Sequence, residues 1–578
     1  MRWIFNAPIV EPWLESCIAE SGVSRSVGHL LRQISFKNKE EFYQFLSPSL
    51  QDVEAPERIE RLVEAVDWVD DACRTHKRIA ILSDYDVDGV TSMALMARCF
   101  HTLGYHFEPY FPMREIEGYG LTERVVERIL TTESHLDCLI SLDCGTNSIE
   151  AVEQLRKADI KVIIVDHHKR NRDNLPDATI VNPHINPEKH SQSAKELCTA
   201  GLVFKWLHVW LKKLKKEGHE IAQNMRLKPF LDFVALGSIA DLVPLRRENR
   251  LWVYYGLKEM LHSQSFGLLK LLECSGCSES VPLTVDDVAF KIAPRVNASG
   301  RLDSAEIPYC LLTYSDPEFC RVAAQQLDKL NTERQDIEHK IALEAEAMIQ
   351  ERPKQLAYVL YKPSWHVGVV GIVAGRLMRK FNCPIFVLGH QEGKAKGSGR
   401  SIPEVNLVEL LTASQEHIEQ WGGHPAAVGL TLNEEAIELW EQRLNELLRE
   451  QFVEQLPEPT LKIADIISLE EISSTFLEEI ERLGPFGQGN EMPTFALLKV
   501  SLKKKPERFG KNGAHLRFKL GDFTVIAWNF GHACLPMLTP IDLAVRISWN
   551  YWQSYKTLQL QLVDWRLNDS TKIKENWQ

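Results

Sequence analysis

Ile79-Ala80-Ile81-Leu82-Ser83-Asp84-Tyr85-Asp86-Val87-Asp88-Gly89 runs on into Met93-Ala94-Leu95-Met96. An apolar run, an acidic turn and a second apolar run predict strand, loop and helix. Side chains at i, i+2 and i+4 of extended backbone share a face. That places Asp84, Asp86 and Asp88 together at the carboxyl end of a strand, where open α/β sheets bind ligands. Three carboxylates this close repel one another unless cations sit between them. The same lettering opens a calcium loop of the EF-hand type, but that loop needs a bidentate Glu at its twelfth position and a helix in front. Here the twelfth position is Leu95 and a strand comes first. A solvated acidic turn without metal is the other alternative, and this stretch alone leaves it open.

The chain has 578 residues, enough for several domains. Hydrophobic content of 44% and charged content of 25% describe an ordinary globular protein, not a disordered or membrane one. The start, Met1-Arg2-Trp3-Ile4-Phe5-Asn6, lacks the apolar core of a signal peptide. No run approaches the roughly 18 apolar residues of a membrane span. Twelve scattered cysteines without a disulfide-like framework point to a reducing cytoplasm. Cys274 and Cys277 form a lone C-x-x-C with no second pair for zinc. A net charge of −12 excludes a uniformly basic nucleic-acid binder and leaves room for a local basic groove.

Beyond the first stretch the pattern repeats. Cys138-Leu139-Ile140-Ser141-Leu142 ends in Asp143-Cys144-Gly145, and Val162-Ile163-Ile164-Val165 ends in Asp166-His167-His168. Helical patterns separate these runs, so the sequence predicts a βαβ series with its acidic and imidazole groups on one edge of a parallel sheet. A single strand-end Asp is often a helix cap; three such ends with two adjacent histidines are not explained that way. Asp241 closes the further apolar run Phe233-Val234-Ala235-Leu236-Gly237-Ser238-Ile239-Ala240. Hard oxygen ligands with imidazole suit manganese, with magnesium as the alternative. There are enough of them for two ions, and a two-metal site clamps the attacking and leaving oxygens of a phosphoryl displacement.

In order and spacing, Asp84-Tyr85-Asp86-Val87-Asp88-Gly89, Asp143-Cys144-Gly145, Asp166-His167-His168 and Asp241 resemble the four motifs of the DHH phosphoesterase superfamily. The resemblance implies metal ligands among Asp84, Asp86, Asp88, Asp143, His167 and Asp241, with Asp143 bridging. It makes His168 the contact to the substrate phosphate and Asp166 the group that orients His168 or its loop. Ala293-Pro294-Arg295-Val296-Asn297-Ala298-Ser299-Gly300-Arg301-Leu302-Asp303 is too polar for a core helix and too patterned for a linker. It is similar to a segment of the RecJ branch; Arg295 and Arg301 are candidates to engage phosphates and Asn297 to hold the loop.

A long helix is predicted from Pro317 to Gln350, on the helical spacing of Leu327, Leu330, Ile337, Ile341 and Ala345. It reads as a connector, and a substrate cleft between two lobes would need one. The lobe beyond it carries Lys396-Gly397-Ser398-Gly399-Arg400-Ser401 and Gly422-Gly423-His424. Glycines let a ligand approach closely, and Ser with Arg can hold a phosphate by charge-assisted hydrogen bonds. This lobe resembles a DHHA1 domain. The resemblance makes Ser398, Arg400 and His424 substrate contacts, and gives Arg114 a share in binding a 5′-terminal phosphate.

Residues beyond about 455 alternate in short runs: 494–498, 516–520, 524–528 and 558–563. They predict a small β-barrel, which the resemblance makes an OB-fold. Lys503, Lys504, Lys505, Arg508, Lys511, Arg517 and Lys519 are interleaved with Phe509, Phe518, Phe523, Trp528 and Phe530. Basic groups for phosphates and aromatic faces for bases are what single-strand binding uses.

The expected architecture is α/β: an N-terminal mainly helical segment (1–75), a parallel-sheet DHH domain (76–314), a connector helix (315–352), a smaller α/β DHHA1 domain (353–452) and an OB-like domain (453–578). From residues alone the reading is a two-metal phosphodiester hydrolase with a nucleic-acid-binding barrel. The resemblance implies a single-stranded-DNA-specific 5′→3′ exonuclease of DNA repair and recombination, cytoplasmic, served by a single-strand-binding protein and a helicase. Two other readings are an oligoribonucleotide or cyclic-dinucleotide phosphodiesterase, which the extra barrel disfavours, and an inactive replication scaffold, which the complete ligand set disfavours.

Overall fold

The computed structural model describes residues 1–568, apart from 6–7, 114–115, 134, 172, 303, 454 and 553–554 and the side chains of 301, 302 and 552. The chain forms two compact units. One comprises 3–300, 304–326 and 461–578; the other comprises 327–460 with 1–2 and 301–303.

The first unit is built on five parallel strands: β1 (Ile79–Ser83), β2 (Glu108–Tyr110), β3 (Cys138–Leu142), β4 (Lys161–Val165) and β5 (Thr179–Val181). Their order is β2-β1-β3-β4-β5. The chain leaves β1 to one side and returns to the other for β3, so the carboxyl ends of β1 and β3 form the crevice where such sheets take their ligands. Both faces are covered and β1 and β3 are buried throughout, which is why these runs are continuously apolar. Each buried Leu, Ile or Val contributes about 1.5–3 kcal/mol over an exposed one.

Three helices lie close to that edge: α1 (Val87–Leu103), α2 (Thr199–Lys216) and α3 (Leu231–Ala240). Arg98 of α1 pairs both its Nη atoms with the buried carboxylate of Asp232 on α3, at 3.0 and 3.1 Å. Lys205 of α2 is buried against Glu248, Nζ to Oε1 2.5 Å, and also donates to the Glu54 carbonyl at 2.6 Å. Glu248 opens α4 (Arg247–Leu261).

Residues 461–578 contribute a seven-stranded sheet in the order Asp465–Ile466, Phe495–Val500, Ile541–Trp552, Tyr555–Leu567, Phe523–Ala527, His515–Leu520, Glu507–Phe509. The expected alternating runs fall on these strands. The N-terminal helices Pro12–Ser21, Arg25–Leu31 and Lys39–Leu46 do not form a core of their own. Leu14, Cys17, Val27, Leu31 and Phe42 pack in one cluster with Phe495, Leu543, Val545 and Leu560 of that sheet.

In the second unit the sheet order is β9-β10-β8-β7-β6, where β6 is Tyr358–Tyr361, β7 Ile385–Gln391, β8 Lys394–Arg400, β9 Gln420–His424 and β10 Ala427–Leu432. Helix α5 (Val370–Phe381) packs on β7 and β8. The helix Pro317–Gln350 is continuous, as its spacing predicts; residues up to 326 belong to one unit and those from 327 to the other. Among the described residues no helix is long and apolar enough to cross a membrane.

Candidate metal centre

The carboxyl edge of the sheet carries the acidic groups by a repeated device. The residue just after each strand donates its N–H to the last carbonyl of the next strand: Asp84 to Leu142 at 3.3 Å, Asp143 to Val165 at 3.0 Å, Asp166 to Val181 at 3.1 Å. The ladder thus extends one residue past each strand and fixes three aspartates in a row. All three are buried.

The extended conformation expected for 84–88 does not hold. The strand stops at Ser83 and α1 starts at Val87. Asp86 is the N-cap of α1, accepting from Gly89 N at 3.1 Å, and Asp88 lies in the first helical turn. The three carboxylates gather because the chain turns sharply, not because alternate side chains share a face. Gly89 permits that turn, since a Cβ there would lie 2.3 Å from the Asp84 carbonyl oxygen. Asp241 follows α3, so its apolar run is helical.

Among the described residues, three groups have ligand atoms within 4.8 Å of one another: Asp84, Asp86 and Asp143; Asp88, His167 and Asp241; Asp143, His167 and His168. His167 Nε2 stands 3.4 Å from Asp143, 3.7 Å from Asp241 and 3.8 Å from Asp88. The N-terminus of α2 supports the cluster, with Thr199 N and Ala200 N donating to Asp88 at 2.7 and 2.8 Å. The Thr199 hydroxyl donates to Asp143 at 2.9 Å. A helix N-terminus carries partial positive charge and suits an anionic site.

Electrostatics mark the cluster as strained without a cation. Burial, then the charges of Asp88, Asp86 and Asp84, hold the Asp143 carboxyl well above the usual range. Burial and Asp88 raise Asp86, and burial with Asp88 and Asp86 brings Asp241 to about 8. Burial lowers His167, favouring the neutral ring that ligates metals. The donor set, carboxylate oxygens with one or two imidazoles, fits manganese or magnesium.

His168 differs from its neighbour. Burial opposes its charged form, but the hydrogen bond and charge of Asp166 overcome this and raise it to about 9. Asp166 Oδ1 is 2.8 Å from His168 Nδ1 and also accepts from the His167 and His168 N–H groups, while Oδ2 accepts from Thr146 N. Asp166 therefore organises the loop and points His168. Sequence reading missed Tyr119, whose hydroxyl lies 3.2 Å from His168 Nε2. It also missed Asn182, which donates to the His168 carbonyl at 2.8 Å. An aromatic between two glycines, Gly118-Tyr119-Gly120, was the available signal for the first.

The expected phosphate contacts are only partly within view. Arg114 and the Arg301 side chain lie outside the described residues. The segment around Asn297 is not a loop but the helix Ala293–Leu302, where Asn297 is half-buried, and Arg295 donates to the Lys291 carbonyl. Its polar lettering hid the helix because Gly300 is there for contact: a Cβ would lie 2.8 Å from the Tyr85 carbonyl oxygen.

In the other unit Ser398 and Arg400 lie two apart on β8, both facing α5. A Cβ on Gly371 would come within 3.2 Å of Ser398 Oγ and 3.1 Å of Arg400 Nη2. The first turn of α5 thus lies directly against a serine and an arginine, a ready anion cradle. His424 ends β9, its Nδ1 accepting from Ala426 N at 3.3 Å.

Of the aromatics in the C-terminal sheet, Phe518 is core, and Phe523 and Phe530 pack partly buried against it. Phe509, His515 and Trp528 form an edge-on cluster, with centroids 4.9–5.7 Å apart and Trp528 46% exposed. Lys503, Lys504, Lys505, Arg508, Lys511, Arg517 and Lys519 are all exposed.

Parallel sheet, acidic edge and paired histidines define a DHH-type phosphoesterase domain joined to a DHHA1 lobe. Family models agree: the N-terminal domain of the DHH family matches residues 78–238, the DHHA1 domain 354–450 and the RecJ OB domain 463–564. The single-stranded-DNA-specific exonuclease RecJ of Bacillus subtilis is 31% identical over 594 residues, covering 100% of this chain and 73% of that protein. RecJ of Thermus thermophilus is 31% identical over 575 residues, covering 98% and 79%. The crystal structure of Thermus thermophilus RecJ in complex with Mn2+ superposes with a TM-score of 0.82 at 27% identity, covering 98% of this chain and 80% of that one. Its complex with Mg2+ gives 0.77 at 26% identity, covering 98% and 79%. The chain belongs to the RecJ family of exonucleases.

Proposed function

We propose that the chain is a metal-dependent exonuclease specific for single-stranded DNA, degrading from the 5′ end. The observation that carries this is the set of buried and half-buried carboxylates with His167 at the β1/β3 crevice, in a chain similar over its whole length to RecJ exonucleases. Asp84, Asp86 and Asp143 would hold one divalent cation, and Asp88, His167 and Asp241 the other. Mn2+ is the first choice and Mg2+ the alternative. Such ions, when bound, supply Lewis-acid chemistry at the phosphodiester and an acidified water.

The chain's own residues do the rest. Asp143 belongs to ligand groups on both sides of the cluster, which supports a bridging place. His168, held charged and pointed by Asp166, offers Nε2 to a non-bridging phosphate oxygen, with Tyr119 beside it. Ser398 and Arg400 grip the terminal 5′ phosphate against the first turn of α5, and His424 contacts the substrate. Arg114, Arg295, Asn297 and Arg301 are assigned to the phosphate backbone. Phe509, His515 and Trp528 with the surrounding cations take the single strand further along. The functional division is 1–75, 76–314, 315–352, 353–452 and 453–578. Such an enzyme works in the cytoplasm in DNA repair and recombination, on strands exposed by a helicase and held by a single-strand-binding protein.

The test uses a long single strand, 5′-phosphorylated and labelled at its 3′ end, with Mn2+. Stepwise shortening from the 5′ end, lost in Asp143→Asn and weakened in Arg400→Ala, is the expected result. Activity confined to short oligonucleotides or cyclic dinucleotides would overturn it in favour of a small-substrate phosphodiesterase.

A further inference from the structure

Asp84 and Asp143 are fixed by strand ends and Asp86 and Asp88 by the start of α1, but Asp241 follows the helix α3. Its N–H is tied to α3 through the Gly237 carbonyl at 2.9 Å, so its placement depends on the helix end and on the segment that follows. Leu242 takes a left-handed φ of +58° as the residue after the helix cap, where Leu242 N donates to the Ile239 carbonyl at 3.2 Å and Val243 N to the Ser238 carbonyl at 3.3 Å. The residues that follow this cap are held from far along the chain. Leu245 N donates to the Gln488 carbonyl at 2.7 Å. Arg246 Nε donates to the carbonyl of Gly489, 243 positions away, at 2.7 Å.

The turn 484–490 is built to grip. Gly487 and Asn490 exchange backbone hydrogen bonds at 2.9 and 3.1 Å, and the Asn490 side chain donates to the Leu483 and Pro485 carbonyls at 3.0 and 2.9 Å. Its glycines are close-approach positions. A Cβ on Gly487 would lie 2.7 Å from Leu245 Cδ1, and one on Gly489, at φ +72°, 3.1 Å from Pro244 Cβ. One turn into α4, the buried Arg250 donates to the Arg482 carbonyl at 3.1 Å and the Phe45 carbonyl at 2.9 Å. The glycine-rich turn of the C-terminal domain and the N-terminal helices both converge on the start of α4, just after Asp241.

We propose that the turn 484–490 is a positioning element of the metal centre: by gripping residues 244–246 it fixes the Asp241 carboxylate, and with it the affinity of the cation held by Asp88, His167 and Asp241. Gln488, Gly489 and Arg246 are the positioning residues. The inference rests on the metal-centre reading. It gives the C-terminal domain a role in the catalytic domain that is separate from holding a strand.

The experiment is a Mn2+ titration of the full-length chain, without DNA, followed by calorimetry and by the electron paramagnetic resonance of free Mn2+. Gly489→Val attacks the grip from the C-terminal domain and Arg246→Ala from the catalytic domain. Both are expected to weaken one of two Mn2+ sites by about 10- to 100-fold, the usual effect of disturbing a ligand's support. The site of Asp84, Asp86 and Asp143 keeps its native affinity, an asymmetry that general destabilisation does not produce. Should Gly489→Val fail to fold, Arg246→Ala alone decides. Two native-like sites in every folded variant would overturn the clamp and leave the metal reading standing. A native chain that takes up no Mn2+ would overturn both.

Discussion

Asp88 and Thr199, 111 positions apart in sequence, meet where a carboxylate caps a helix: the Thr199 N–H reaches Asp88 Oδ2 at 2.7 Å, while its hydroxyl reaches Asp143 at 2.9 Å. One residue thus ties a carboxylate from the first turn of α1 and one from the end of β3 to the positive end of α2. Thr199→Val keeps the backbone bond and removes the hydroxyl. It is expected to cost about 1–3 kcal/mol, the desolvation penalty of a buried group that loses its partner. Urea denaturation with and without Mn2+ measures it, and the loss should shrink when the cation is present.

Asp143 sits at φ +61° on an otherwise buried edge. Asn tolerates left-handed backbone better than Ala. Asp143→Asn should therefore keep the fold, and its metal-free form should be no less stable than native, because a carboxylate crowded by its acidic neighbours has been removed. Activity on single strands should fall by at least about a hundredfold. A metal-free melting temperature clearly below native would contradict the crowding argument.

Metal removal gives the complementary result. Mn2+ at about one hundred times its dissociation constant should stabilise the native chain by about 2.7 kcal/mol per independent site. Chelation with EDTA should reverse this and abolish hydrolysis. Asp143→Asn should show a smaller shift at the same Mn2+ concentration.

Arg400 is expected to read the strand's terminus. A charge-assisted hydrogen bond contributes about 1.5–3 kcal/mol, so Arg400→Ala should lower kcat/KM on 5′-phosphorylated strands about 10- to 150-fold. On 5′-hydroxyl strands the change should be small. Equal losses on both substrates would remove Arg400 from that role.

Trp528 and Arg517 separate stacking from charge. Trp528→Ala should weaken binding of a long single strand by about 1–3 kcal/mol without changing its salt dependence. Arg517→Ala should instead reduce the slope of log K against log salt by about 0.7. Fluorescence anisotropy at several salt concentrations distinguishes the two.

Much was legible in the sequence because local chemistry reports on local structure. Apolar runs of strand length ending in Asp predicted β1, β3 and β4, and the parallel arrangement followed from the helices between them. The helix Pro317–Gln350 was set by its own spacing. The identities of the acidic and imidazole groups pointed to hard divalent cations, and the solved structures of a Thermus thermophilus relative hold Mn2+ and Mg2+. Tertiary structure alone decided the rest. Asp84, Asp86 and Asp88 gather through a turn-to-helix junction whose tightness depends on Gly89 contacting Asp84, a distance that no alternation rule contains. Thr199, Tyr119 and Asn182 reach the site from separate stretches, and the N-terminal helices find their core on a sheet at the other end of the chain. Side-chain pattern specifies which face of an element is buried; which distant element buries it is settled only by the packing of the whole chain.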